Sequence, residues 1–150
     1  MVRHALNAVA VCLILTGFAR AQTATPDGYA LGASCKPCHA AAWSSWEKTK
    51  HATAFRRVAT ERDNPAGCVG CHVTPQGAAL REQDANANVQ CEGCHGPGRD
   101  HIKAAESGAA KPGQITRKPA EEVCVQCHAA RSPHFKFFSY AAMLPLSHAR

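Results

Sequence analysis

The chain opens with an apolar run that differs from everything after it. Arg3 and His4 precede Ala5 to Ala19, which holds Val9, Val11, Leu13, Ile14, Leu15 and Phe18, and the small-x-small triplet Ala19-Arg20-Ala21 follows. A basic start, an apolar middle and a small-residue cut site predict a Sec-type secretory signal peptide over residues 1–21, removed before Gln22. The apolar stretch is short for a membrane span. Cys12 lies early in it behind Val11, where a lipidation site wants a small residue. Beyond Gln22 the pattern is mostly helical and often interrupted. Ala40 to Phe55 has no Gly or Pro, and Trp43, Trp46, Lys50 and Ala54 recur at helical spacing, which predicts a helix over 38–57. Residues 22–34 read as an extended lead. Residues 63–90, with Asn64-Pro65, Pro75-Gln76-Gly77 and Asn86 to Asn88, read as mainly loop. A short helix is expected from Asp100 to Glu106, then a Gly/Pro/Lys linker over 107–118. Pro119 can open a further helix, with Glu121 and Glu122 at its positive end. Phe135 to Ser147 reads as helical but broken near Pro145. Strand signals are nearly absent, so the expected fold is mainly α and loop-rich, one domain over residues 22–150.

Composition makes that fold difficult to hold together. The full chain has 150 residues, with nine Cys, nine His and a formal charge of +6. Without residues 1–21 it has 129 residues, eight Cys, eight His, and 15 Lys plus Arg against 11 Asp plus Glu, a charge of +4. Leu, Ile, Val and Phe make up only 16 of those 129. Below roughly 20% such residues a chain rarely buries enough apolar surface to fold unaided. The basic charges are scattered, so nucleic acid is not the expected partner. The eight Cys must supply what the core lacks, through disulfides, metal or a covalent cofactor.

Their spacing chooses among these. The chain reads Cys35-Lys-Pro-Cys38-His39, Cys68-Val-Gly-Cys71-His72, Cys91-Glu-Gly-Cys94-His95 and Cys124-Val-Gln-Cys127-His128. Cys-x-x-Cys-His is the attachment signature of c-type haem. Two thiols three positions apart lie on one side of a turn and can form thioethers with the haem vinyl groups, and the adjacent His sets its imidazole under the iron. Two four-Cys zinc sites would need the pairs but not the His. At His abundance of nine in 150, four of four by chance is of order one in 10⁵. A disulfide scaffold suits an exported chain but leaves the His unexplained, and thioredoxin-type pairs occur singly. The sequence therefore predicts a small multihaem cytochrome c domain wrapped around four covalent haems (heme c).

The other face of each iron is less determined. After signal removal only Met143 could supply a thioether ligand, so at least three haems cannot use one. Four His lie outside the motifs: His51, His101, His134 and His148. Four spare His for four irons suggest mostly bis-His ligation. His51 stands 12 residues after His39, about 18 Å along a straight helix, which assigns it to a different haem. His101 follows the turn Gly96-Pro97-Gly98, and His134 follows Pro133.

These motifs resemble the tetrahaem cytochrome c-554 family, whose best-known member accepts electrons from hydroxylamine oxidoreductase in nitrifying bacteria. The matching segments are the first motif with Trp43-Ser-Ser-Trp46 and Lys48-Thr-Lys-His51-Ala, the second within Gly67 to Val73, Cys91-Glu-Gly-Cys-His-Gly-Pro-Gly98 with His101, and the fourth motif. Together they span roughly residues 30–148. The resemblance implies distal ligands at His51, His101 and His148, and a high-spin haem with an open face on the second motif. This chain is shorter than the family pattern between the second and third motifs and after the fourth, and His134 is not a recognised family ligand. The expected function is periplasmic electron transfer between redox partners, a quinol-linked or periplasmic oxidoreductase among them, by a soluble protein. The alternative is a small enzyme reducing or oxidising a nitrogen species, such as nitric oxide, at the open haem. Each ferric haem with ionised propionates carries about −1, which brings the mature chain near neutrality.

Overall fold

A computed structural model describes residues 27–60, 65–75, 84–111, 113–130, 132 and 135–148. The signal peptide expected over 1–21 and the candidate ligand His134 lie outside these residues. Among the described residues there are seven α-helices of at most eight residues: α1 Ala40–Trp46, α2 Phe55–Thr60, α3 Pro65–His72, α4 Cys91–His95, α5 Arg99–Glu106, α6 Glu121–Val125 and α7 Tyr140–Met143. Short 3-10 turns precede α1 (Gly32–Cys35), lead into α2 (His51–Thr53) and follow α7 (Leu144–Leu146). Strand pairing among them is confined to one antiparallel bridge, Val73 to Ala87. The fold is mainly helical and loop-rich.

Several expected elements differ from those observed. The helix predicted over 38–57 breaks after Trp46. Both the backbone N–H of Thr49 and its hydroxyl donate to the Trp46 carbonyl at 2.8 Å, so the helical ladder tightens and stops. The Trp46 indole N–H donates to the Val89 carbonyl at 2.9 Å, and Val89 N–H donates to the His51 carbonyl at 3.1 Å. Residues 46–51 thus bond to a distant loop instead of extending the helix, and the straight-helix spacing of His39 and His51 does not apply. The second correction is α3, which lies inside the segment read as loop. Pro65 starts this helix and takes its first position, where its missing N–H costs nothing. The extended lead also gives way to a 3-10 turn at Gly32.

The apolar core is as small as the composition implies. Phe55, Val58, Val73 and Ala87 are buried together, with Cys68 and Val69 packed beside them, where α2 meets α3. Polar groups carry much of the remaining load. The Glu92 carboxylate, 2% exposed, accepts backbone N–H bonds from Ala30 (2.8 Å), Leu31 (2.7 Å) and Gly98 (2.7 Å). Gln90 accepts from Gly32 N–H and donates to the carbonyls of Ala85 and Ala87. Arg99 completes the strap through the carbonyls of Gly28 and Tyr29. Segment 28–32, which leads into the first motif, is thereby fastened to the third.

Candidate haem site

Each motif is built on a tight turn. His39 N–H donates to the Cys35 carbonyl at 3.0 Å and His128 N–H to the Cys124 carbonyl at 2.9 Å. The second and third motifs lie at the ends of α3 and within α4. One helical turn therefore separates the first Cys from the His, and both thiols fall on the same side. None of the eight motif Cys is in a disulfide.

The motifs also touch one another. The Cys35 and Cys91 thiols share a hydrogen bond. That bond, with burial, holds Cys35 well above the usual thiol range, and it brings Cys91, the accepting partner, down to about 7. Burial, with Cys124 and Cys91 nearby, pushes Cys94 up to about 11. Burial lowers His51 first, and the neighbouring His128 and His72 lower it further. A cavity of ≈ 340 Å³ is lined by Cys71, Gly93 and Cys127, from the second, third and fourth motifs. The second, third and fourth motifs therefore meet around one cavity, and the first joins the third.

Three of the four motif His face a second imidazole. His39 and His101 lie with ring centroids 6.4 Å apart and planes at 24°. His95 and His148 are 5.7 Å apart at 35°, with their Nε2 atoms 3.5 Å apart. His128 and His51 are 6.0 Å apart at 61°. A metal bound between two imidazoles at about 2 Å each needs nitrogens about 4 Å apart, and the His95 and His148 nitrogens, 3.5 Å apart, lie close to that spacing. Among the described residues no group of three or more His, Cys, Asp or Glu converges as a closed metal cage would. Paired imidazoles beside paired thiols fit haem better than zinc. His72 is the exception: no imidazole ring pairs face to face or edge to face with it among the described residues, though His51 lies near enough to be lowered by it.

Neighbouring groups fix the imidazole tautomers. His72 Nδ1 donates to the Ala54 carbonyl at 2.6 Å and His95 Nδ1 to the Thr116 carbonyl at 2.5 Å. A carbonyl can only accept, so the proton sits on Nδ1 and Nε2 keeps the lone pair that a metal takes. Phe138 stacks on His128 at 4.9 Å and 17° and orients that ring. The lowered pKa of His51 favours its neutral, coordinating form. Glu92 and Phe138 had no role in the sequence reading. The only hint for Glu92 was an acid lodged between two Cys.

Comparison with known proteins finds similarity to c-type cytochromes. The family described as Cytochrome c554 and c-prime matches residues 34–96, which hold the first three motifs. Cytochrome c-554 of Nitrosomonas europaea is 29% identical over 162 aligned positions, covering 85% of this chain and 68% of that protein. The chain is similar to the cytochrome c554 family over these residues. Reduced cytochrome c554 from Nitrosomonas europaea matches it in structure with a TM-score of 0.47 at 24% identity, over 81% of this chain and 78% of that one. Outer cell wall cytochrome OcwA gives 0.44 at 19%, over 68% and 37%. Kinship with the c554 family supports a multihaem c-type cytochrome that carries electrons. No helix among the described residues is long and apolar enough to cross a membrane.

Proposed function

We propose that this chain is an exported, periplasmic electron carrier holding four covalent c-type haems. Thioethers form at Cys35 and Cys38, Cys68 and Cys71, Cys91 and Cys94, and Cys124 and Cys127, with His39, His72, His95 and His128 as proximal ligands. The observation that carries the reading is the set of three imidazole pairs, which suit bis-His ligation of the first haem by His39 and His101, the third by His95 and His148, and the fourth by His128 and His51. The iron of a bound haem supplies a one-electron couple. The chain's residues hold the rings in the coordinating tautomer, fix their spacing and keep the four motifs in one contiguous series. A redox protein is the expected partner, through a small and transient interface. Mass spectrometry of the purified protein should give four haems per chain. Fewer than four would overturn the stoichiometry.

A second reading, an enzyme at the second haem, is favoured by His72, which pairs ring to ring with no imidazole among the described residues. We propose that this haem keeps one face open. Low-temperature electron paramagnetic resonance of the ferric protein should then show three low-spin haems and one high-spin haem. His134→Ala should leave the high-spin fraction unchanged. If the wild type is wholly low-spin and His134→Ala creates the high-spin signal, His134 closes the site and the enzyme reading fails.

A further inference from the structure

Two buried nitrogens at the first motif lack a hydrogen-bond partner among the described residues, the donor Trp43 Nε1 and His101 Nδ1. The contrast within one helix is informative. Trp46 and Trp43 pack against each other at 4.9 Å, yet Trp46 donates its indole N–H to Val89 and Trp43 donates to no protein atom described. A buried N–H without a partner is rare in a folded protein. The acceptor therefore lies outside the described residues, and a bound group at the motif is a candidate for it.

Position indicates which acceptor. Trp43 stands four residues after His39, and its backbone N–H bonds to the His39 carbonyl at 2.9 Å. Residues four apart share a helix face, so the indole lies one turn along from the proximal imidazole. His101, which holds the other unsatisfied nitrogen, faces that same imidazole. Both orphans thus belong to the first haem site. A c-type haem brings carboxylates on its propionate arms, and a carboxylate leaving water needs donors. Lys36 adds a second feature: its ammonium lies 5.5 Å from the centre of the Trp43 ring. A cation on the ring face draws electron density from the indole and makes its N–H a better donor to an anion.

We propose that Trp43 is a positioning residue for the first haem, its Nε1–H donating to a carboxylate oxygen of that haem's propionate. The assignment rests on reading Cys35 to His39 as a haem site, and peptide mass spectrometry tests that reading separately. If Cys35 and Cys38 carry no haem, both ideas fail. If they do and Trp43 contacts no propionate, only this one fails.

Two experiments on the holoprotein test it. A crystal structure of the wild type should place a propionate oxygen within hydrogen-bond distance of Trp43 Nε1. A water there, or no polar atom, overturns the proposal. Resonance Raman spectra compare Trp43→Phe, which keeps an aromatic ring and deletes the N–H, with Trp46→Phe. One propionate bending band should shift in Trp43→Phe while the spin-state bands stay in place, and Trp46→Phe should leave that propionate band unmoved. Coincident spectra for wild type and Trp43→Phe overturn the proposal, as does an equal shift in Trp46→Phe, which would mark a general packing effect. If Trp43→Phe does not assemble, the wild-type crystal structure decides.

Discussion

Single residues carry unusual weight where the apolar core is so small. Glu92 satisfies three backbone donors from two separate segments. One of them, Leu31, sits at φ 68° and ψ 148°, a conformation that costs a side-chain-bearing residue of order 1–3 kcal/mol and persists only where its surroundings enforce it. Glu92→Ala would remove the enforcement and leave three donors unpaired, so we expect the holoprotein to lose about 3 kcal/mol or more in chemical denaturation. A loss below about 1 kcal/mol would show that the strap is held by other contacts. The ligand pairs are also testable one residue at a time. His148→Gly should turn the third haem high-spin, and added imidazole should return it to low-spin. His51→Gly should do the same at the fourth haem. A change at any other haem would contradict the pairing. All of these His were identifiable from the sequence as candidates. Their pairing was not, because it depends on which segments lie side by side.

Short helices matter here for where they stop. The break after Trp46 lets His51 turn toward His128, and it arises from Thr49 and from the loop at Val89. Helical periodicity in residues 40–55 gives no sign of this, since neither Thr49 nor Val89 disturbs the apolar pattern. α5 was legible within one residue, because a Gly-Pro-Gly turn precedes it and Gly108 follows it. α3 was not, because its Pro was read as punctuation. Gly32 marks a close approach between elements: a Cβ added there would lie 2.7 Å from Gln90 Oε1. Gln90 cannot swing aside, since its amide nitrogen is held by two carbonyls and its backbone N–H by the Thr74 hydroxyl. Gly32→Ala should therefore destabilise the holoprotein by about 1–3 kcal/mol, measured as a lowered denaturation midpoint. An unchanged midpoint would show that the 3-10 turn can shift away.

Across the whole molecule, stability and cofactor are expected to be inseparable. Four buried apolar residues form the core of the described part, too little to offset the ordering of so many loops. Ligands drawn from distant segments, His51 to the fourth motif, His101 to the first and His148 to the third, would let the haems close those loops. Replacing all eight motif Cys by Ser should therefore give a chain without a cooperative unfolding transition in circular dichroism. A cooperative transition would show that the polypeptide folds without haem.

The sequence by itself pointed to the chemistry. Four Cys-x-x-Cys-His motifs carry their signal in spacing within five residues, so no tertiary information is needed to read them. It also bounded the fold, because apolar scarcity and frequent Gly and Pro exclude a large core. Only the tertiary structure decided which imidazoles face each other, that Glu92 ties the first motif to the third, and that Trp43 holds a donor with no acceptor among the described residues. Those facts rest on contacts between residues 40 to 80 positions apart, and local sequence patterns do not encode such contacts individually.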